Sequence, residues 1–135
     1  MNNVKDFETA LERLEDALRQ PDSEYIRDAS IQRFEFCFEL GWKAIQKNAR
    51  QSGTDVASPR AALAFACRNG WIDDEAAWLE LLKARNLTVH TYHQDTAAAV
   101  FSKLPYFSQM FRALLEKLKQ GGNQAGSTQS SNLNL

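Results

Sequence analysis

The chain has 135 residues, with 16 basic and 17 acidic side chains and a formal net charge of -1 at pH 7. This balance argues against a nucleic-acid binder that works through bulk positive charge, since such proteins carry an excess of lysine and arginine. One domain of this length buries about 68% of its unfolded surface and needs no disulfide to fold. The two cysteines, Cys37 and Cys67, lie within helix-like apolar patterns, so they are interpreted as core residues in a reducing compartment. No apolar run approaches the roughly 18 residues of a membrane span and no signal peptide pattern is present, which predicts a soluble, cytoplasmic protein.

The first two predicted elements are helices that differ in how their apolar residues are distributed. From Val4 to Leu18 apolar side chains repeat every three or four positions, which is typical of an amphipathic helix. A second helix is predicted to begin after a cap at Asp22 or Ser23 and to end at Gly53. Its large apolar side chains point in nearly every direction, so we expect one side to face the core and another to be covered by a partner subunit. The candidates for this interface are Phe34, Phe36, Phe38 and Trp42.

Three more helices are predicted in the second half of the chain. A third helix is expected within Ser58–Gly70, a fourth within Asp73–Asn86 and a fifth from about Thr96 to Lys119. Glycine and proline are scarce and lie mostly between these segments, which favours an all-α bundle of about five helices. Residues 1–119 are predicted to form a single domain, and residues 120–135 a disordered polar tail.

A polar cluster follows the fourth predicted helix, in the segment RNLTVHTY at residues 85–92. Arg85 offers a fixed fork of donors to phosphate oxygens, His90 can take a proton near pH 7, and Tyr92 offers a hydroxyl group. At about 100° per residue, His90 lies about 140° around a straight helix from Arg85, so such a helix cannot aim all three side chains together. Either the helix breaks near Thr88 or another chain completes the site.

Each candidate residue also has a structural interpretation. An arginine at a helix end is most often a cap or a surface ion pair, and a tyrosine is more often a half-buried packing residue than a reactive group. Glu35 and Glu39, four residues apart on the second helix, are interpreted as a solvated face. The sequence contains no metal-ligand spacing, glycine-rich phosphate loop or Ser-His-Asp order.

Four segments together carry a family resemblance: FEFCFELGWKAI at 34–45, SPRAAL at 58–63, Trp78, and RNLTVHTY at 85–92. In this order they resemble the nucleotidyltransferase substrate-binding protein family of the HEPN superfamily, over roughly residues 4–119. The resemblance implies an antiparallel helical bundle that forms a homodimer and is encoded beside a minimal nucleotidyltransferase. The related HepT toxins are metal-independent endoribonucleases, and their nucleotidyltransferase partner silences them by adding AMP to the motif tyrosine.

The resemblance also implies a role for each residue of the motif. Arg85 would hold the scissile phosphate of an RNA substrate, His90 would move the proton, Tyr92 would accept AMP and Asn86 would make a supporting polar contact. No metal or other cofactor is implied for this chain, because the partner supplies the metal-bound nucleoside triphosphate. Three functions stay open: a ribonuclease toxin controlled by AMP transfer, a non-catalytic substrate-binding subunit, and a helical interaction module.

Overall fold

The structure, a computed structural model, describes the backbone of residues 3–133 and the side chains of residues 3–121. It contains five α-helices and one short 3₁₀ turn, and no strand occurs among these residues. The elements are α1 (Asn3–Leu18), α2 (Glu24–Gln51), α3 (Pro59–Arg68), α4 (Glu75–Leu87), the 3₁₀ turn (Thr88–His90) and α5 (Gln94–Leu133). The prediction of an all-α bundle of about five helices is therefore confirmed.

The helix boundaries follow from local chemistry that the sequence displays. Ser23, Ser58 and Asp74 each accept a hydrogen bond from the backbone N–H three residues later, at 3.1, 3.2 and 3.0 Å, and so cap α2, α3 and α4. Such a cap contributes about 1 kcal/mol, because it satisfies a donor that has no partner within the helix. Gly53 and Gly70 have φ values of 86° and 74°, a conformation that favours glycine, and they lie just after α2 and α3.

The core lies between α1, α2 and α5, and α3 and α4 pack at its side. Aromatic rings fill its centre: Phe34 stacks on Phe107 with 5.6 Å between ring centroids, while Phe7 and Trp78 contact Phe111 edge-on at 5.9 and 5.8 Å. Burying each such ring is worth about 1.5–3 kcal/mol, so these contacts supply much of the force that holds the helices together.

Ion pairs define the direction of α1 relative to α5. Glu8, near the start of α1, pairs with Lys119, and Glu15, near its end, pairs with Arg112 at 2.5 Å. The two helices therefore run antiparallel. The neighbouring Lys119 ammonium and Arg112 guanidinium, together with Lys5, hold the pKa of the Glu8 carboxyl below its usual value, Lys119 having the largest effect.

The interface prediction for α2 was wrong for two of its four residues. Phe34 and Phe38 are 0% and 2% exposed, so the core of this same chain already covers them. Of the other candidates, Phe36 is 51% exposed and Trp42 is half-buried against the core. The physical reason is that α2 is a central helix: α1, α3, α4 and α5 all pack on it, so most of its apolar surface is hidden without a partner subunit.

Two buried positions of α2 show how tightly this helix packs. Burial raises the pKa of the Cys37 thiol to about 12, as suits a core residue without a reactive thiolate. A Cβ atom added at Gly41 would lie 3.2 Å from Cε1 of Phe7, so the aromatic ring of Phe7 packs closely against this glycine.

The backbone of α5 continues beyond Lys119, the predicted end of the helix. The tail predicted to be disordered, residues 120–135, lies almost wholly outside the residues whose side chains are described, and its disorder stays a prediction. Among the described residues, no helix has the length and apolar character needed to cross a membrane.

Candidate functional site

The polar segment after α4 is positioned by a break in the helix. Helix α4 ends at Leu87, and the Thr88 hydroxyl donates to the backbone oxygen of Arg85 at 2.6 Å. The Thr91 hydroxyl in turn donates to the backbone oxygen of Thr88 at 3.0 Å. These hydroxyl groups donate to carbonyl oxygens that would otherwise accept only the backbone hydrogen bonds of a continuing helix. The chain therefore forms the tighter 3₁₀ turn at this point. The helix therefore breaks near Thr88, which is one of the two alternatives that the angular spacing of Arg85 and His90 left open.

Arg85 is held by α2 rather than left in solvent. Its Nη2 lies 2.9 Å from Oε1 of Glu39, and its guanidinium lies 6.0 Å from the ring centroid of Phe38. The other oxygen of Glu39 accepts a hydrogen bond from Nε1 of Trp42 at 3.3 Å. Both oxygens of this carboxylate are therefore engaged, and the guanidinium is fixed in place by a charged partner and an aromatic face.

Glu39 is the residue that sequence reasoning missed. It was predicted to lie on a solvated face, but its side chain is 35% exposed and pairs with an arginine 46 positions later in the chain. Local spacing carries no signal for such a partner. The available hint was that Glu39 lies among large aromatic residues on α2, where a charged side chain needs an opposite charge or hydrogen bonds.

His90 and Tyr92 form the second part of the site. Nδ1 of His90 lies 3.4 Å from the Tyr92 hydroxyl, and the two ring centroids are 6.0 Å apart. The ring centroids of Tyr92 and His93 also lie 4.4 Å apart, and Tyr92 is 73% exposed. The hydroxyl group is therefore accessible to a partner, and it lies within hydrogen-bond distance of Nδ1 of His90.

The structure brings some of the predicted site residues together and leaves others apart. His90 and Tyr92 are neighbours, whereas no hydrogen bond or ion pair joins either of them to Arg85 in the described part of the chain. Asn86 lies next to Arg85 in the sequence and is exposed. Among residues 3–121, no three histidine, cysteine, aspartate or glutamate side chains are grouped as metal ligands would be.

The amino-acid sequence matches a known protein family over most of its length. The profile described as "Nucleotidyltransferase substrate binding protein like" covers residues 2–120. A curated relative from Haemophilus influenzae, named "Probable ribonuclease HepT", is 34% identical over 96 residues. That match spans 67% of this chain and 66% of the relative.

Solved structures share the fold. A Thermus thermophilus protein is 39% identical, with a TM-score of 0.76, over 83% of this chain and 98% of that one. A Haemophilus influenzae protein is described as having the fold of a substrate binding domain of a nucleotidyltransferase. It is 28% identical, with a TM-score of 0.78, over 86% of this chain and 98% of that one. A third structure is that of a tri-AMPylated Shewanella oneidensis HEPN toxin in complex with an MNT antitoxin. It is 16% identical, with a TM-score of 0.71, over 88% of this chain and 95% of that one, and at this identity the likeness shows the fold alone. The chain therefore belongs to the nucleotidyltransferase substrate-binding family of HepT-like helical proteins.

Proposed function

We propose that this protein is a HEPN toxin: a metal-independent endoribonuclease that a minimal nucleotidyltransferase silences by transferring AMP to Tyr92. The observation that carries the proposal is the pairing of an exposed tyrosine hydroxyl with Nδ1 of His90 at 3.4 Å, directly after the break that follows Arg85. The relative named as a probable ribonuclease supports the cleavage activity, and the AMP-bearing toxin of the same fold supports the regulation.

Cleavage would proceed by attack within the RNA strand. The 2′-oxygen forms a bond to the adjacent phosphorus, the bond from phosphorus to the 5′-oxygen breaks, and the products carry a 2′,3′-cyclic phosphate and a 5′-hydroxyl. His90 takes the proton from the 2′-hydroxyl, and a second His90, from the other subunit of a homodimer, protonates the leaving oxygen. Arg85 stabilises the charge that develops on the phosphate, using donors that Glu39 leaves free.

The homodimer in this proposal uses the exposed part of α2. Phe36 and the half-buried Leu40 line an apolar groove of about 290 Å³ between α1 and α2. A half-exposed phenylalanine beside such a groove is apolar surface that a second subunit can bury. We place this assembly in the cytoplasm, where the nucleotidyltransferase and its nucleoside triphosphate substrate are available.

Silencing is a nucleotidyl transfer to the tyrosine. The Tyr92 oxygen attacks the α-phosphorus of ATP, a bond from oxygen to phosphorus forms, and the bond to the leaving pyrophosphate breaks. The phenolic proton passes to Nδ1 of His90 or to solvent. The product places a negatively charged phosphodiester beside His90, where it repels the RNA phosphate and blocks access to the imidazole ring.

The experiment compares two neighbouring histidines. RNA is incubated with purified protein in the presence of a chelator, and the products are analysed for cyclic phosphate ends. General acid-base catalysis is worth about 10²–10⁴-fold, so His90→Ala should lower cleavage by about that factor. His93→Ala is the matched control, because His93 is also exposed and contacts Tyr92, and it should cleave at the wild-type rate. Equal cleavage by both variants would contradict the assignment of His90.

A second candidate is a non-catalytic subunit that binds substrate for the nucleotidyltransferase. The Haemophilus influenzae structure described as a substrate binding domain favours it, as does a net charge of -1, which gives little attraction for a long polyanion. Under this function the wild type leaves RNA uncut, while His90→Ala weakens nucleotide binding.

A further inference from the structure

A groove of about 520 Å³ opens directly beside Tyr92. It lies between the start of α2, the residues that follow the 3₁₀ turn and the start of α5. Its volume is within the range of about 300–1,000 Å³ that is usual for small-molecule sites. The polar side chains that line it include Asp22, Arg27, Asp28, Tyr92 and Gln94.

The cation of this groove is Arg27, which is already oriented. Its Nε and Nη2 donate to the two oxygens of Asp22 at 2.9 and 2.8 Å, and its guanidinium lies 5.7 Å from the ring centroid of Phe101. The guanidinium beside it lowers the pKa of the Asp22 carboxyl, so the pair stays ionised at neutral pH. Nη1 of Arg27 makes no hydrogen bond within the described part of the chain and is available to a ligand.

We infer that this groove is a docking site for the AMP group attached to Tyr92, an inference that rests on the proposed function. Arg27 would hold the phosphodiester through its free donors. The carboxylate of Asp28 would accept hydrogen bonds from the ribose hydroxyls, as acidic residues do in nucleotide sites. Gln94 would pair with the adenine, since its amide offers the donor and acceptor that an adenine edge matches.

The charge of the groove decides which form of nucleotide it accepts. Asp22, Glu24 and Asp28 bring three carboxylates against the single guanidinium of Arg27, so the groove disfavours free ATP, which carries several negative charges. A single phosphodiester linked to Tyr92 differs in two ways: it carries one negative charge, and its attachment keeps it near the groove at a high effective concentration. The site is therefore selective for the covalently attached nucleotide.

Docking in the groove would make the silenced state persistent. A phosphodiester held against Arg27, with its ribose and base in contact with the protein, is less accessible to hydrolases than one that projects into solvent. The groove would thus protect the modification in addition to placing it, and toxin silenced once would stay silent without continuous AMP transfer.

The test measures how fast AMP is removed from labelled protein. Wild type, Arg27→Gln and Arg50→Gln are each treated with the nucleotidyltransferase and ATP, mass spectrometry locates AMP at Tyr92, and a broad-specificity phosphodiesterase is then added. Loss of a charge-assisted contact is worth roughly tenfold or more, so AMP should leave Arg27→Gln about tenfold faster than wild type. Arg50→Gln is the control, since Arg50 is an exposed residue near the other end of α2, and it should behave as wild type.

A second measurement distinguishes the possible outcomes. The phosphorus NMR shift of the AMP group should differ between folded and urea-unfolded wild type, and Arg27→Gln should move it toward the unfolded value. Equal release from wild type and Arg27→Gln, with equal shifts, would overturn the docking site while leaving the proposed function intact. Wild type that carries no AMP at Tyr92 would overturn both. If the transferase fails to label Arg27→Gln, Gln94→Ala carries the same comparison, with faster release expected and unchanged release refuting the site.

Discussion

Replacing Glu39 by glutamine tests whether this residue positions Arg85 for catalysis. The substitution keeps the size of the side chain and an oxygen that can accept a hydrogen bond, but it removes the negative charge that faces Nη2 of Arg85 at 2.9 Å. We expect slower RNA cleavage, because the guanidinium will spend less time in the orientation that the ion pair now imposes.

The magnitude follows from the exposure of the pair. A fully exposed ion pair contributes about 0–1 kcal/mol, and a hydrogen bond to a charged group about 1.5–3 kcal/mol. The Arg85 and Glu39 side chains are 30% and 35% exposed, so solvent screens part of the attraction and about 1 kcal/mol is a suitable figure. Since a tenfold rate change corresponds to about 1.4 kcal/mol, Glu39→Gln should lower cleavage about fivefold.

The assay is the initial rate of RNA cleavage in chelator, measured over a range of RNA concentrations. A positioning role predicts that kcat falls while KM changes little. Glu35→Gln is the matched control, because Glu35 lies one turn earlier on α2, is also partly buried and makes no ion pair within residues 3–121. Glu39→Gln that cleaves as fast as wild type, or faster because a competitor for the phosphate has gone, would refute the positioning role.

Three further predictions concern α2. Phe34→Ala should lower the free energy of unfolding of the monomer by about 3–5 kcal/mol and Phe36→Ala by less than about 1 kcal/mol, in urea titrations at protein concentrations low enough to dissociate a dimer, and equal losses would contradict their different burial. Gly41→Leu should cost about 1–3 kcal/mol, because the added atoms meet the ring of Phe7, and an unchanged urea midpoint would show that the ring can move away. Burial raises the pKa of Cys37 to about 12 in the folded chain, so this thiol should resist thiol reagents at pH 8 until urea is added. Because the thiol of the unfolded chain ionises near pH 8.5, the free energy of unfolding should fall between about pH 9 and 12, and it should fall less steeply in Cys37→Ala.

Helix positions were predictable because their signals are local. Ser23 and Ser58 occupy the cap positions that the sequence indicated, and a serine before a proline or an acidic residue is readable within four residues. The break after Leu87 was one of two alternatives that the sequence offered, since angular spacing shows that Arg85 and His90 cannot share one face of a straight helix but does not decide between a break and a second chain.

The parts that were not predictable depend on residues distant in the sequence. The strongly apolar character of α2 fits a central helix as well as a dimer interface, and only the packing of four other helices shows that Phe34 and Phe38 belong to the core. The pairing of Glu39 with Arg85 joins two helices whose relative rotation no local pattern encodes. The groove at Arg27 likewise forms from two helix starts and a turn that meet only in the folded chain.

The most direct test of the central claim is the rate of metal-free RNA cleavage by one protein sample before and after treatment with the nucleotidyltransferase and ATP. The account predicts cleavage by the untreated protein, loss of cleavage as mass spectrometry detects AMP at Tyr92, and continued cleavage by treated Tyr92→Phe, whose ring lacks the acceptor oxygen. Untreated protein that leaves RNA intact, or treated Tyr92→Phe that is silenced as fully as wild type, would contradict it.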